Sequence, residues 1–432
     1  MLYYSLNHNA PEANFKDATI RGLAPDDGLY FPSFIPPLSK GWINELKTTS
    51  NEQIAFDVMR PFIGDVIPEE ELFRICSETV DMDFPLHRVS EGNFSLELFH
   101  GPTLTFKDTG ARFMSRCLAY FSRDNRKRLT VLVATSGDTG CAVANEFLGV
   151  EGAEVVVLYP SGKVNPMQEL QLTTLGGNVT ALEIKGSFYD CQHMVKQAFA
   201  DSDLQKVMLL TSANSINVAR WLPQQFYYFY AHKQWPFEYP PVISVPSGNL
   251  GNICAGLLAH VRGLPVMHFI AGCNSNRSFT DYLSRGQFVP AQALVTISNA
   301  MDVGNPCNFV RILELFDHNH FQITKLISSF SINDHVTAEA IWDVFKKDGY
   351  LMDPHGAVAY CALRSYQEQQ AGFGGIFLAT AHPCKFREMI ESITGKFIEI
   401  PESQGSVLGR KKNSVLMKPG FDNLKEFLLD RK

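Results

Sequence analysis

The run His100-Gly101-Pro102-Thr103-Leu104-Thr105-Phe106-Lys107-Asp108 sets a lysine between an aromatic residue and an acid. It follows an apolar, strand-like stretch at 94–99 and a rigid Gly-Pro turn. Beyond it, Phe113, Met114, Cys117, Leu118 and Phe121 recur at i, i+1, i+4, i+5 and i+8, the buried stripe of a helix. Lys107 therefore falls at or near that helix's N-terminus. The positive end of the helix dipole and partial burial both disfavour an ammonium, so a lysine placed there can reach neutrality and attack a carbonyl. An ordinary ion pair with Asp108 is the plainer alternative, and these residues alone leave both open.

Three other segments have the chemistry of ligand loops. Ser247, Gly248, Asn249, Leu250, Gly251 and Asn252 follow a strand and open a helix, where glycines allow close backbone approach and exposed amides favour an anion such as phosphate. Thr135, Ser136, Gly137, Asp138, Thr139 and Gly140 hold the same strand-to-helix position and offer hydroxyls and amides to a carboxylate. Asn214 and Arg220 lie in TSANSINVAR, after an apolar run at 207–210; the arginine can fork onto a second phosphate or a carboxylate. Each segment has a plain alternative, a tight turn or a helix cap that binds nothing. Two such loops together with a candidate reactive lysine favour a phosphate-bearing ligand. Neither loop has the G-x-x-x-x-G-K-[ST] pattern, nor G-x-G-x-x-G with an acid about 20 residues on, so the common nucleotide sites fit poorly.

The elements that must position these loops alternate short β-branched runs with amphipathic segments. Residues 129–134, a helix ending near Gly149, and 155–159 form one βαβ unit; 242–245, a helix around 255–261, and 266–271 form another. A late strand at 376–379 runs into Thr380-Ala381-His382-Pro383. The expected fold is α/β, with two parallel-sheet lobes and a cleft at the carboxyl ends of their strands. Residues 1–90 read differently, rich in proline with an acidic helical stretch near 68–80, and are treated as an amino-terminal extension.

Bulk properties exclude several classes. With 45% hydrophobic and 19% charged residues in 432, the chain has the composition of a soluble globular protein, and no apolar run approaches the roughly 20 residues of a membrane span. The amino terminus lacks a basic segment followed by an apolar core, which makes the cytoplasm the expected location. Nine cysteines without a C-x-x-C spacing argue against a disulfide framework and a zinc site, and no metal is expected. A formal charge of −7 gives no reason to bind nucleic acid; the basic runs at 126–128 and 410–412 read as solvated faces.

Taken together, HGPTLTFKD, TSGDTG, TSANSIN with its following arginine, SVPSGNLGN and ATAHPCKF closely resemble the motifs of the threonine synthase family, enzymes of pyridoxal phosphate fold type II. The resemblance spans the chain and includes Gly28-Leu29-Tyr30-Phe31-Pro32 and Ser298-Asn299-Ala300-Met301-Asp302-Val303. It implies three parts: an amino-terminal domain at 1–90, a large cofactor domain at 91–125 and 210–432, and a small mobile domain at 126–209. It also implies conversion of O-phospho-L-homoserine and water to L-threonine and phosphate, the last step of threonine biosynthesis. Lys107 would join the cofactor pyridoxal 5′-phosphate as a Schiff base and later act as general base. Residues 247–252 would hold the cofactor phosphate, and Thr380 would face its pyridine nitrogen. Thr135 to Thr139 would take the substrate carboxylate, while Asn214 and Arg220 would receive the substrate phosphate. Cysteine synthases have asparagine where Asp138 stands here, so that asparagine's contact with the cofactor O3′ is not carried over. No partner beyond the small substrate is implied, and the protein is expected as a monomer or homodimer.

His100 and His382 read as hydrogen-bonded positioning residues rather than proton shuttles, and the role of His355 stays open. Two rivals remain at this level. A serine or threonine dehydratase would use Lys107 and the same phosphate cup without a second phosphate site, and a silent relative would bind an amino acid or phosphate as a sensor.

Overall fold

Short apolar runs separated by amphipathic helices give two parallel sheets, because strands linked through helices are buried on both faces. The computed structural model describes residues 1–123, 127–370 and 372–430. The larger sheet has six strands in the order Ile327–Ser331, His268–Cys273, Val242–Pro246, Gly375–Ala379, Asn93–Glu97 and Leu86–Ser90. All neighbours are parallel except the last pair. The second sheet is wholly parallel, in the order Val415–Met417, Val179–Ile184, Ala153–Pro160, Leu129–Ala134 and Leu209–Ser212. Its central strands are apolar and buried along almost their whole length. The α/β two-lobed expectation therefore describes the architecture.

Residues 1–80 form a three-stranded antiparallel sheet, Ala13–Asn14, Leu2–Ser5 and Tyr30–Pro32, with helices packed around it. This region shares the main core: Phe15 meets the rings of Tyr3, Phe113 and Phe121 at centroid distances of 6.1, 6.5 and 6.3 Å. Arg311, fully buried, donates to the carbonyls of Tyr30 at 3.1 Å and Ile216 at 2.6 Å, tying the amino-terminal sheet to the segment that carries Asn214. The acidic stretch folds as the helix Glu69–Thr79.

One sequence boundary moves. The strand expected at 207–210 starts at Leu209, since Asp201 accepts from the amides of Asp203 and Leu204 and so caps a helix, Ser202–Val207, that takes in the first of those residues. The segment 210–432, grouped above with the large domain, also reaches the five-stranded sheet at its far end. Val415–Met417 pairs with Val179–Ile184, and the helix Phe421–Leu429 packs Leu424 and Leu428 into the core of the five-stranded sheet. At its near end, Leu209–Ser212 pairs with Leu129–Ala134 in that same sheet. Arg126, the first residue of the basic run and of the small segment, lies outside the described residues, as do residues 124–125.

Among the described residues no helix is long and apolar enough to cross a membrane, and no group of three or more His, Cys, Asp or Glu could hold a metal ion. All nine cysteines are unpaired, eight of them buried.

Candidate active site

Lys107 is the first residue of the helix Lys107–Ser122. The approach to it is pinned to the neighbouring strand end: Phe106 donates its amide to the Thr380 carbonyl at 3.0 Å, and Thr105 Oγ1 donates to the same oxygen at 3.2 Å. The lysine motif and Thr380 are thus brought together by main-chain bonding. Asp108 points elsewhere. It is fully buried, accepts from the Thr103 amide at 2.9 Å and from the Thr103 hydroxyl, and so closes the Gly101–Thr103 turn. The carboxylate facing Lys107 is Asp138, 3.6 Å from its amine. Burial pushes the Lys107 amine below the usual lysine range; Asp138 pulls it back up, and Lys385 and Arg220 push it further down.

Asp138 opens the helix Asp138–Glu146 at the carboxyl end of Leu129–Ala134. Gly137 before it has φ of 146°, a conformation that favours glycine. The Thr135 hydroxyl is fully engaged inside the loop, accepting from the amides of Gly137 at 3.0 Å and Gly140 at 2.9 Å and donating to the Gly137 carbonyl at 3.0 Å. Ser136 is exposed at the tip and Thr139 half-buried, whereas Thr135 is buried.

The 247–252 cup follows Val242–Pro246 and opens the helix Gly251–Val261, whose first amides have no partner one turn back. Leu250 is held at φ of 60° without being glycine, a strained setting of the kind found at functional loops. Gly248 backs onto the Ser298–Val303 segment: a Cβ there would lie 2.6 Å from Met301 Cα. Ser247 is buried and donates to the Val245 carbonyl at 2.8 Å. Asn252 accepts from Tyr228 through its Oδ1 at 2.8 Å, leaving its buried Nδ2 without a partner among the described residues. Asn249 joins two loops, donating to Ser215 Oγ at 2.9 Å while accepting from the Cys307 amide at 2.6 Å. This bond draws the segment carrying Asn214, half-buried, up to the 247–252 loop. Arg220 is 2% exposed, donates to the Ala213 carbonyl, and has a buried Nε with no partner among the described residues. Burial lowers its pKa to about 10, so it stays cationic at neutral pH.

His100, His355 and His382 are each held. His355 bonds Asp353 at 2.7 Å through Nδ1 and accepts from the Ala300 amide at 3.2 Å through Nε2, bracing the segment against which Gly248 packs. His382 accepts from the Cys384 amide at 3.1 Å, and His100 meets Glu97 at 2.8 Å.

Five strand ends, carrying Lys107, Asp138, Arg220, Asn252 and Thr380, therefore supply one amine, one carboxylate, a buried guanidinium, an anion cup and a hydroxyl. Comparison with known proteins decides what this set belongs to. A model of pyridoxal-phosphate dependent enzymes matches residues 86–375, a threonine synthase N-terminus model matches 2–80, and a threonine synthase C-terminal model matches 356–428. The threonine synthase of Haemophilus influenzae is 42% identical over 98% of this chain and 97% of its own. The chain belongs to the threonine synthase family. The crystal structure of threonine synthase from Escherichia coli superimposes with a TM-score of 0.93 at 40% identity, covering 100% of both chains. A pyridoxal phosphate-bound threonine synthase from Brucella melitensis gives 0.93 at 32% identity over 99% of this chain and 98% of that one.

Pyridoxal phosphate, the cofactor of this threonine synthase family, suits the residues present. The unpartnered Asn252 Nδ2 and the free first-turn amides suit a phosphate. An amine made less basic by burial suits attachment to an aldehyde. Residues to which the sequence reading gave no site role are Lys385, Gln168 and Ser215. Lys385 bonds Asp138 at 2.8 Å and Gln168 does so at 2.7 Å, while Ser215 links the cup to its neighbour. Lys385 and Ser215 lie inside quoted motifs, but their spacing carried no mark of their contacts.

Proposed function

We propose that the protein converts O-phospho-L-homoserine and water to L-threonine and inorganic phosphate. The observation that carries this reading is the Asn249–Ser215 bond, which sets an anion cup beside a second polar segment ending in a buried arginine, with a lysine amine in the same cleft. One anion cup suffices for a cofactor phosphate; a neighbouring cationic site suits a substrate that carries its own.

In this reading Lys107 carries the cofactor, Ser247, Gly248, Asn249, Leu250, Gly251 and Asn252 hold its phosphate, and Thr380 offers a hydroxyl to the ring nitrogen. When bound, pyridoxal phosphate withdraws electrons so that protons can leave substrate carbons. Ser136, Gly137, Asp138 and Thr139 orient the substrate carboxylate, with Thr135 holding their loop in shape. Asn214 and Arg220 receive the substrate phosphate and stabilise its charge as the Cγ–O bond breaks. Lys107, free once substrate is bound, takes the Cα proton, moves the Cβ proton, returns a proton to Cγ before water adds at Cβ, and returns one to Cα afterwards. The five-stranded body, including residues 415–430, acts as the smaller lobe whose closure keeps water out until phosphate has left. The nine unpaired cysteines support a reducing, cytoplasmic setting. The protein works on its small substrate as a monomer or homodimer, with no nucleic-acid or membrane partner.

Reaction in water enriched in heavy oxygen tests the bond that breaks. This reading expects the label in the threonine hydroxyl and none in the released phosphate. Label in phosphate, with homoserine as the other product, would mean P–O hydrolysis and overturn it.

A further inference from the structure

Asp138 lies between two lysines. Its Oδ2 faces Lys107 at 3.6 Å, while its Oδ1 accepts from Lys385 at 2.8 Å and from Gln168 Nε2 at 2.7 Å. The Lys385 side chain is 0% exposed, and its three ammonium protons match three acceptors: Asp138 Oδ1, the Thr103 carbonyl at 2.8 Å and Gln171 Oε1 at 3.2 Å. A buried ammonium is tolerated only when paired and fully bonded in this way. The contact also spans the cleft: Lys385 belongs to the turn Pro383–Phe386 after a strand of the six-stranded sheet, whereas Asp138 and Gln171 sit on helices of the five-stranded body.

One carboxylate charge can satisfy one of these two lysines well. The shorter, fully bonded contact goes to Lys385, and Lys107 is left at a distance longer than a hydrogen bond. We propose that Lys385 is a positioning residue that claims the Asp138 carboxylate and thereby leaves Lys107 able to shed its proton. This rests on the reading above, in which Lys107 must become a neutral amine to take the substrate's Cα proton.

The surrounding charges agree. Burial pushes Lys107 down, and besides Asp138 the charges that act on it are Lys385 and Arg220, which push it down further. For Lys385, burial is opposed by Asp138, Cys141 and Asp108, and the balance raises it above the ordinary lysine range. Burial alone would raise Asp138, but the two lysines hold it well below the usual carboxylate range. The site thus contains one firmly charged pair and one lysine with a weakened hold on its proton. Without Lys385 the buried carboxylate would have, among the described residues, only Lys107 as a cation in contact, and would hold the proton on it.

The test uses the full-length holoenzyme, comparing wild type with Lys385→Met and Lys385→Gln. The absorbance of bound pyridoxal phosphate and kcat are each followed against pH, and the attachment point is fixed by borohydride reduction and peptide mapping. In both variants the nitrogen of Lys107 should hold its proton about tenfold more tightly, moving the spectral transition and the rise of kcat to higher pH by about one unit. Adding Asp138→Asn to Lys385→Met should return the spectral transition toward the acid side, which a purely structural role for Lys385 does not require. Should methionine at the buried site prevent folding, the glutamine variant, which still donates hydrogen bonds, carries the same expectation. Cofactor mapped to Lys107 with wild-type titration in the variants would overturn the proposal alone. Cofactor mapped to another residue in the wild type would overturn the functional reading and this proposal with it.

Discussion

The Phe106 amide and the Thr380 carbonyl are joined by a 3.0 Å hydrogen bond, and Ala381 forms a bridge with Thr105 on the same seam. Two stretches of chain more than 270 residues apart are thereby fixed side by side. The bond gives Lys107 its place at the start of a helix and sets Thr380 next to it, before any ligand arrives. Preorganisation of this kind lets a site place a reacting group without reordering the chain during reaction.

In the proposed function Lys107 is both the attachment point and the base. Lys107→Ala should lower kcat by at least the roughly 10²- to 10⁴-fold ascribed to a single general base, while pyridoxal phosphate still binds reversibly through residues 247–252. Turnover within tenfold of wild type, measured by phosphate release, would contradict the role given to Lys107.

Arg220 is a buried cation with an unpartnered Nε, a state suited to receiving an anion. Arg220→Ala should raise KM for O-phospho-L-homoserine at least tenfold more than it raises the inhibition constant of a non-phosphorylated amino-acid analogue. Losses of equal size for the two ligands would remove the arginine from the phosphate site.

Gly248 has no room for a side chain, since a Cβ would meet Met301 Cα at 2.6 Å and its carbonyl carbon and oxygen at 3.1 Å. Because the obstacle is backbone, Gly248→Ala should destabilise the protein by about 1–3 kcal/mol and weaken cofactor binding. Gly405, with nothing within 4 Å of its added Cβ, is the matched control, and Gly405→Ala should leave urea unfolding and cofactor affinity nearly unchanged. Equal effects of the two substitutions would show that the close packing of the cup on Ser298–Val303 does not matter.

Burial, helped by nearby Glu146, raises the Asp108 carboxyl to about 7 from 3.8. Between those values the native state holds a proton that the unfolded chain has released, so the contribution of Asp108 to stability falls as pH rises through this window. Asp108→Asn removes that titration. The stability of wild type relative to the variant should decline by a few kcal/mol from pH 4 to pH 8, at roughly 1.4 kcal/mol per unit. Parallel denaturation curves for the two proteins across that range would show that Asp108 is ionised throughout.

Much of this arrangement is legible in the residues. The stripe from Phe113 to Phe121 placed Lys107 at a helix start, and strand-to-helix turns marked the loops at 135–140 and 247–252, because local periodicity and glycine placement determine both. The partner of Lys107 was not legible. Asp108 is next in sequence, yet its side chain turns back to Thr103, and the carboxylate that faces the lysine comes from a strand end in the other sheet. Lys385 is a charged residue with 0% side-chain exposure, and burial of a charge is decided by partners distant in the chain. The return of residues 415–430 to the smaller sheet escaped for another reason. Val415–Met417 is only three residues long with Val415 and Leu416 exposed, too short to show a period.

The most direct test of the central claim is the product balance when purified protein and pyridoxal phosphate act on O-phospho-L-homoserine. The account predicts inorganic phosphate and L-threonine in equal amounts, with no keto acid. Ammonia and a keto acid formed without threonine would contradict it and assign the cleft to an eliminating dehydratase.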